Sequence, residues 1–382
     1  MKQGANTNGR NSGNQIMDTT FDAKSATARK KSHASYSRLH APRRAFTLVE
    51  LLVVITIIGI LASLIVVAAM GALKHARQTQ IKAELNQISD SLEHYKNEHT
   101  AYPPNCQTDN GGGSPPETPL DPNKVFSDLK RHIRQVAPRC QEPDDLLKAI
   151  AGINVSDTAS FPRKLAGGLT AGEAVVFWLG GFSSNEKYPI SGEGGPSYEI
   201  AALNNATNRE QENLSAHKWV FPFEQPRLAP KDDNNRFDET DGRFIEYKVT
   251  IAGKPHIRRI NFWQYTPNKS KQPYLYFDTS RYTPDVADPP ASSSVHIHAL
   301  KTIENPGSSN ERLKFVNPDR YQLLHCGIDD VWGDAFDQTS YAQYKGDPTK
   351  FLWFPQGPFK GDLADTVVNF VTQTKLEDAQ TQ

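Results

Sequence analysis

Residues 43–50 read Arg43-Arg44-Ala45-Phe46-Thr47-Leu48-Val49-Glu50, and residues 51–73 continue as LLVVITIIGILASLIVVAAMGAL without a charge. As a helix, that uncharged run would measure about 34 Å, enough to cross a bilayer core of about 30 Å. No proline interrupts it, and Gly59 and Gly71 are tolerated inside such a helix. Glu50 is the odd residue, because a carboxylate at the edge of an apolar span is costly to bury without a partner. That makes it a functional candidate; the plainer reading is an acid resting among lipid headgroups. After Lys74 the pattern changes without a break. Ile81, Leu85, Ile88, Leu92 and Tyr95 recur at steps of four and three, one face of an amphipathic helix, with Lys82, Glu84, Asn86, Asp90, Glu93 and Lys96 between them. The spacing predicts a single helix from Phe46 to His99, stopped before Tyr102-Pro103-Pro104. Its first half is apolar all round and its second half on one side only.

Residues 43–104 resemble the prepilin N-terminus of type IV pilins and type II secretion pseudopilins. The likeness rests on a basic stretch, a small residue before Phe46, Thr-Leu-Val-Glu, an aliphatic run, and an amphipathic helix ending at Tyr-Pro. It implies that a prepilin peptidase cuts between Ala45 and Phe46 and that the new Phe46 amine is N-methylated. It also implies that Glu50 pairs with the Phe46 amine of a neighbouring subunit in a filament. Charge balance makes such pairing sensible, since a lone carboxylate in a dry core is heavily penalised. The implied fold is α+β and pilin-like: one long N-terminal helix packed on a mainly antiparallel β-sheet head with extra short helices. The implied division is a cleaved leader over 1–45, the helix over 46–101 with its span at about 51–73, and an extracytoplasmic head over 102–382. The implied partners are prepilin peptidase, other pilin or pseudopilin subunits, an inner-membrane assembly platform and membrane lipid. The implied location is the inner membrane, single-pass, with the N-terminus cytoplasmic. Two features depart from the family: Ala45 stands where Gly is usual, and a leader of 45 residues is long, so an internal start site is an alternative. Alanine is still small, so cleavage is expected to be slower or equal rather than lost.

The charge distribution fits a chain left with its basic end in the cytoplasm. Residues 1–45 hold nine Lys and Arg against Asp18 and Asp22, a net of +7, which leaves −7 for the rest of a formally neutral chain. An acidic body argues against nucleic acid as its main partner. The leader, rich in Asn, Ser, Thr, Lys and Arg, is too polar to bury a core. Its last residues, with Phe46 to Leu48, also look like a twin-arginine export signal. Such signals end in a discarded cleavage site, whereas this run carries Glu50 and flows into an amphipathic helix.

Beyond residue 104 the chain reads as a loop rich in Gly and Pro. Short helices follow around residues 125–136, 144–150 and 171–179, the last closed by Gly180-Gly181. Strands are expected at 245–251, 274–277, 295–300 and 321–324. Residues 321–330 resemble the late strand-and-loop of major pseudopilins, and 223–247 with 273–278 resemble segments of large pilin-like proteins in planctomycete-type bacteria. Three cysteines are too few for a disulfide scaffold. Cys106 and Cys140 are the pair nearer in sequence, with three unpaired thiols as the alternative.

Asp329, Asp330 and Asp334 cluster near Gly327 and Gly333, and Asp362 and Asp365 follow Gly361. Clustered carboxylates repel unless a cation sits among them, and calcium accepts loose oxygen geometry. Major pseudopilins bind calcium in the matching region, so these five are the candidate ligands, against a solvated acidic loop. His296 and His298 would share a strand face but lack a third zinc ligand, and 232–239 lacks the spacing of a calcium loop. No catalytic motif asks for an enzyme. Two classes therefore stand: a structural subunit of a secretion pseudopilus or pilus-like filament, and a membrane-tethered or exported enzyme or binding domain.

Overall fold

The computed structural model describes residues 46–104, 106, 121–153, 168–192, 194–196, 219–230, 242–251, 254–281, 299–332 and 353–380. The chain divides into two units, Met1–Ala62 and Ser63–Gln382. Among the described residues the α-helices are α1 Leu48–His99, α2 Pro122–Val136, α3 Asp144–Ile150 and α4 Ala171–Leu179. The strands there are β1 Leu228–Ala229, β2 Arg243–Ile251, β3 Lys254–Phe262, β4 Gln264–Tyr265, β5 Leu275–Asp278, β6 Lys301–Glu304, β7 Arg312–Phe315, β8 Tyr321–His325 and β9 Val367–Val368.

Helix α1 has 52 residues, about 78 Å of rise. Its first half is exposed throughout, with Leu51, Ile55, Ile58, Leu61, Ile65 and Met70 all more than half exposed. That segment is long and apolar enough to cross a membrane. From Gln78 the helix buries one side: Ile81, Leu85, Ile88, Leu92 and Tyr95, the stripe expected from its spacing, enter the main core. The helix stops where the prolines demand. Tyr276 Oη donates to the Pro103 carbonyl and Trp178 Nε1 to the Pro104 carbonyl, both at 2.6 Å. The chain therefore leaves the helix against the head and not into solvent.

Local chemistry starts the shorter helices. Asp121 accepts from the Asn123 amide at the head of α2, with Pro122 in the first turn. Thr170 and Glu173 form a reciprocal capping box on α4. All nine residues of α4 are buried, and Trp178 near its C-terminal end touches Tyr95 and His132 edge to face.

All the strand pairings are antiparallel, but among the described residues they form four small sheets. The hairpin β2–β3 pairs from Arg243↔Phe262 to Ile251↔Lys254. Strands β5, β8 and β9 form a three-stranded sheet with β8 in the middle, while β6 pairs β7 and β1 pairs β4. A second core, with Leu275, Leu324, Val368, Phe359 and Trp332, lies on the three-stranded sheet. Of the strand expected at 295–300, residues 295–298 lie outside the described residues. Ala299 and Leu300 are buried just before β6.

The cysteines are free thiols. Cys106 is buried in the main core and Cys140 half-buried against it, so the pair nearest in sequence is not bridged. Each is fixed separately: Cys106 on left-handed backbone just past the prolines, Cys140 with its sulfur accepting from the Glu142 amide.

Candidate functional site

The N-terminal site is built by the first turn of α1. The Glu50 carboxylate accepts from the Thr47 amide at 2.9 Å and the Thr47 hydroxyl at 3.0 Å, and that hydroxyl accepts from the Glu50 amide. This is a reciprocal cap with Thr47 before the helix and Glu50 in its third position. Phe46 precedes it, 71% exposed. Ala45 lies outside the described residues. Glu50 thus already has neutral partners in its own chain, and among the described residues no base lies within ion-pair distance of it.

A second group of residues fixes the lower half of α1 to the head. Glu84, expected on the solvent side, accepts from both terminal nitrogens of Arg227, from Tyr274 Oη at 2.6 Å and from Tyr265 Oη at 3.1 Å. The Arg227 guanidinium lies over the Tyr265 ring at 4.4 Å and donates by Nε to the Thr266 carbonyl. Burial and the Glu84 charge push both phenols up from their ordinary range. Lys82, also expected outside, is only 8% exposed. Its ammonium donates to the carbonyls of Val368 and Val371, and Gln78 Nε2 donates to that of Asp365. Burial without a carboxylate lowers the Lys82 amine to about 8. Two to three turns further on, Glu93 accepts from Arg320, Tyr102 and Tyr321. A sequence signal for Lys82 existed, since 78, 82 and 85 continue the buried rows by steps of four and three. None existed for Arg227, which reaches α1 from a distant loop.

The third group is acidic. Asp329 and Asp362 are exposed, and Asp330 and Asp365 half-buried. Asp365 Oδ2 accepts from the Ile328 amide at 2.7 Å, whereas its Oδ1 is buried with no hydrogen-bond partner. Burial raises Asp365 and Asp329; the Asp329 charge adds to the effect on Asp365, and Asp362 and Asp330 add to the effect on Asp329. Gly327 makes the approach of the two loops feasible: at its φ of 104°, an added Cβ would lie 2.3 Å from the Asp365 carboxyl carbon. Asp330 is turned to the head, accepting from Ser270 Oγ and from the Lys271 amide. Asp334, His296 and His298 lie outside the described residues. The orphaned, buried Asp365 oxygen could receive an oxygen-seeking cation such as calcium, but among the described residues Asp329, Asp362 and Asp365 do not gather three ligand atoms around one point. His325, Cys326 and Asp330 do bring ligand atoms within 4.8 Å of one another. There, however, His325 Nδ1 accepts from Gly327 and Nε2 contacts the Gln272 carbonyl, so its ring is already used.

Comparison with known proteins bears on the first of these sites. Residues 41–66 match the prokaryotic N-terminal methylation motif. The chain carries a type IV pilin-like N-terminus. More particularly, it is similar to type II secretion system core protein G of several bacteria. That of Dickeya chrysanthemi is 35% identical over 89 residues, covering 22% of this chain and 56% of the relative. The protein of Klebsiella pneumoniae is 39% identical over 61 residues, 16% of this chain and 44% of the relative. That of Pseudomonas aeruginosa is 41% identical over 58 residues, 15% and 41%. The chain thus spans about half the length of the curated relatives it matches. No solved structure gives a significant match.

Proposed function

We propose that the chain is a structural subunit of a type II secretion pseudopilus or pilus-like filament, and not an enzyme. The observation that carries this is the change of character along α1. The apolar residues within and just after the methylation motif are exposed on every side, and the same helix then buries a single stripe. A helix apolar all round needs lipid or other copies of itself. An export signal would be discarded instead of continuing into the core of the head, which speaks against the twin-arginine reading.

In this reading prepilin peptidase cuts between Ala45 and Phe46, with the +7 leader in the cytoplasm and the head outside. The new amine, N-methylated, meets Glu50 of a neighbouring subunit. Its charge then supplies what the Thr47 cap lacks, since neutral donors satisfy the carboxylate's hydrogen bonds but not its charge. The partners are prepilin peptidase, further pilin or pseudopilin subunits, the inner-membrane assembly platform and lipid. Calcium between the 327–330 and 362–365 loops would relieve the repulsion there and stiffen the head. Mass spectrometry of the mature chain from the membrane fraction tests the main reading. A chain beginning at methylated Phe46 is expected, and one beginning near residue 73 or later would replace the filament reading with an exported domain.

A further inference from the structure

Four basic side chains converge where α1 leaves its apolar run. Lys74 follows Leu73 directly, and Arg77 is four residues beyond it, about 6 Å along the axis. Arg77 Nη2 donates to the Lys269 carbonyl at 3.3 Å, which ties the turn around residues 267–270 to the helix. Lys269, at the tip of that turn, and Lys271 are exposed, and so are Lys74 and His75. Elsewhere on the head many bases are paired, Lys130 with Asp144, Arg139 with Glu186 and Arg320 with Glu93 among them. Among the described residues none of Lys74, Arg77, Lys269 and Lys271 has a carboxylate within ion-pair distance. Asp330 stands behind the turn, held by Ser270 Oγ and the Lys271 amide, and Gln78 reaches the Asp365 carbonyl on the other side. Asp330 offsets one of the four bases, and Asp329, Asp362 and Asp365 lie on the two adjoining loops, so the rim is a local row of bases and not a net-positive face.

We propose that this rim binds the anionic headgroups of the phospholipid surface from which the head projects. The inference rests on the reading of residues 51–73 as a membrane span. The polar layer on each side of a bilayer core is about 5–8 Å thick. A group about 6 Å beyond the apolar run therefore lies at phosphate depth. Arginine and lysine there gain from anionic lipid, about five-fold in occupancy per charge. The bond from Arg77 sets the Lys269 turn at the same level as the helix bases, so the head is held by two elements. This limits its swing about a single helix.

The full chain is reconstituted in vesicles of phosphatidylcholine alone and of phosphatidylglycerol alone. Flotation is measured, then the rate at which a water-soluble amine reagent labels each lysine. Lys187 is the reference: it is exposed and lies five residues after Phe182, which touches His99 at the far end of α1. Relative to Lys187, Lys269 and Lys271 are expected to react about five-fold more slowly in phosphatidylglycerol than in phosphatidylcholine, with the difference lost at high salt. Arg77→Gln, which releases the turn, is expected to narrow the difference at Lys269. A chain that floats with both vesicles but is labelled equally at Lys269 in the two overturns the headgroup proposal alone. A chain that floats with neither overturns the membrane span, and the proposal with it.

Discussion

Removing the Glu84 carboxylate tests whether polar contacts, and not only the apolar stripe, fix α1 to the head. In Glu84→Ala the Arg227 guanidinium, 12% exposed, keeps only the exposed Glu224 carboxylate at 3.6 Å, and the Tyr265 and Tyr274 hydroxyls lose their Glu84 acceptor. Breaking a buried pair from one side costs about 3–5 kcal/mol, and the stranded phenols keep the loss in that range. Arg227→Ala should cost less, about 2 kcal/mol, because Glu84 keeps two phenol donors while the loss of the ring contact adds little. The double variant should then lose clearly less than the two single losses together, with a coupling of about 2 kcal/mol. The assay is urea unfolding of the 74–382 fragment. That fragment is expected to be soluble and monomeric, because the remaining helix is apolar on one face only and the head covers it. Losses that add within about 0.5 kcal/mol would refute the reasoning. They would mean that Glu84 and Arg227 are separately solvated and that the stripe alone holds the helix.

Further outcomes are expected. Ala45→Leu should leave uncut precursor in the membrane, seen as a larger band; normal processing would remove the cleavage site from this position. Glu50→Val should still be cut and inserted, since the run only becomes more apolar, but should fail to enter filaments in a pull-down of assembled fibres. Calcium at about ten times its dissociation constant should stabilise the 74–382 head by about 1.4 kcal/mol, read as a melting shift of a few degrees against excess chelator. Identical curves would leave the aspartates as surface. Burial holds His132 neutral in the fold, lowered to about 3 from an ordinary 6.5. The unfolded chain therefore takes up a proton first as pH falls below 6.5, and stability is lost from there down. Melting between about pH 7 and 5 should show a decline that His132→Gln flattens.

The fold was readable where periodicity and punctuation agree. The α1 stripe, the stop at Tyr102-Pro103-Pro104, α3, α4 and β2 all follow from spacing, caps and breakers. The polar half of the α1–head interface was not readable. Lys82 and Glu84 are charged, so their chemistry assigns them to solvent even though spacing puts Lys82 on a buried row, and only the distant carbonyls of Val368 and Val371 and the Arg227 side chain bring them inside. Glu50 was legible as an anomaly in an apolar run, but its partnership with Thr47 becomes visible only once the helix start is placed. The five aspartates were legible as a cluster. That Asp330 turns away to Ser270 while Asp365 is left with an orphaned oxygen depends on the backbone at Gly327.

The grip of Lys82 on residues 368 and 371 joins positions 286 and 289 apart in the chain. A growing chain offers the ammonium long before it offers the acceptors. Until residue 371 is made, the lower part of α1 has an uncovered stripe and an ammonium still held by water. Closure of the head is therefore a terminal event of biosynthesis, not a progressive one. Subunits halted short of that point present an open flank to any holdase or protease at the membrane surface. The same clasp that completes the fold works as a checkpoint for finished chains.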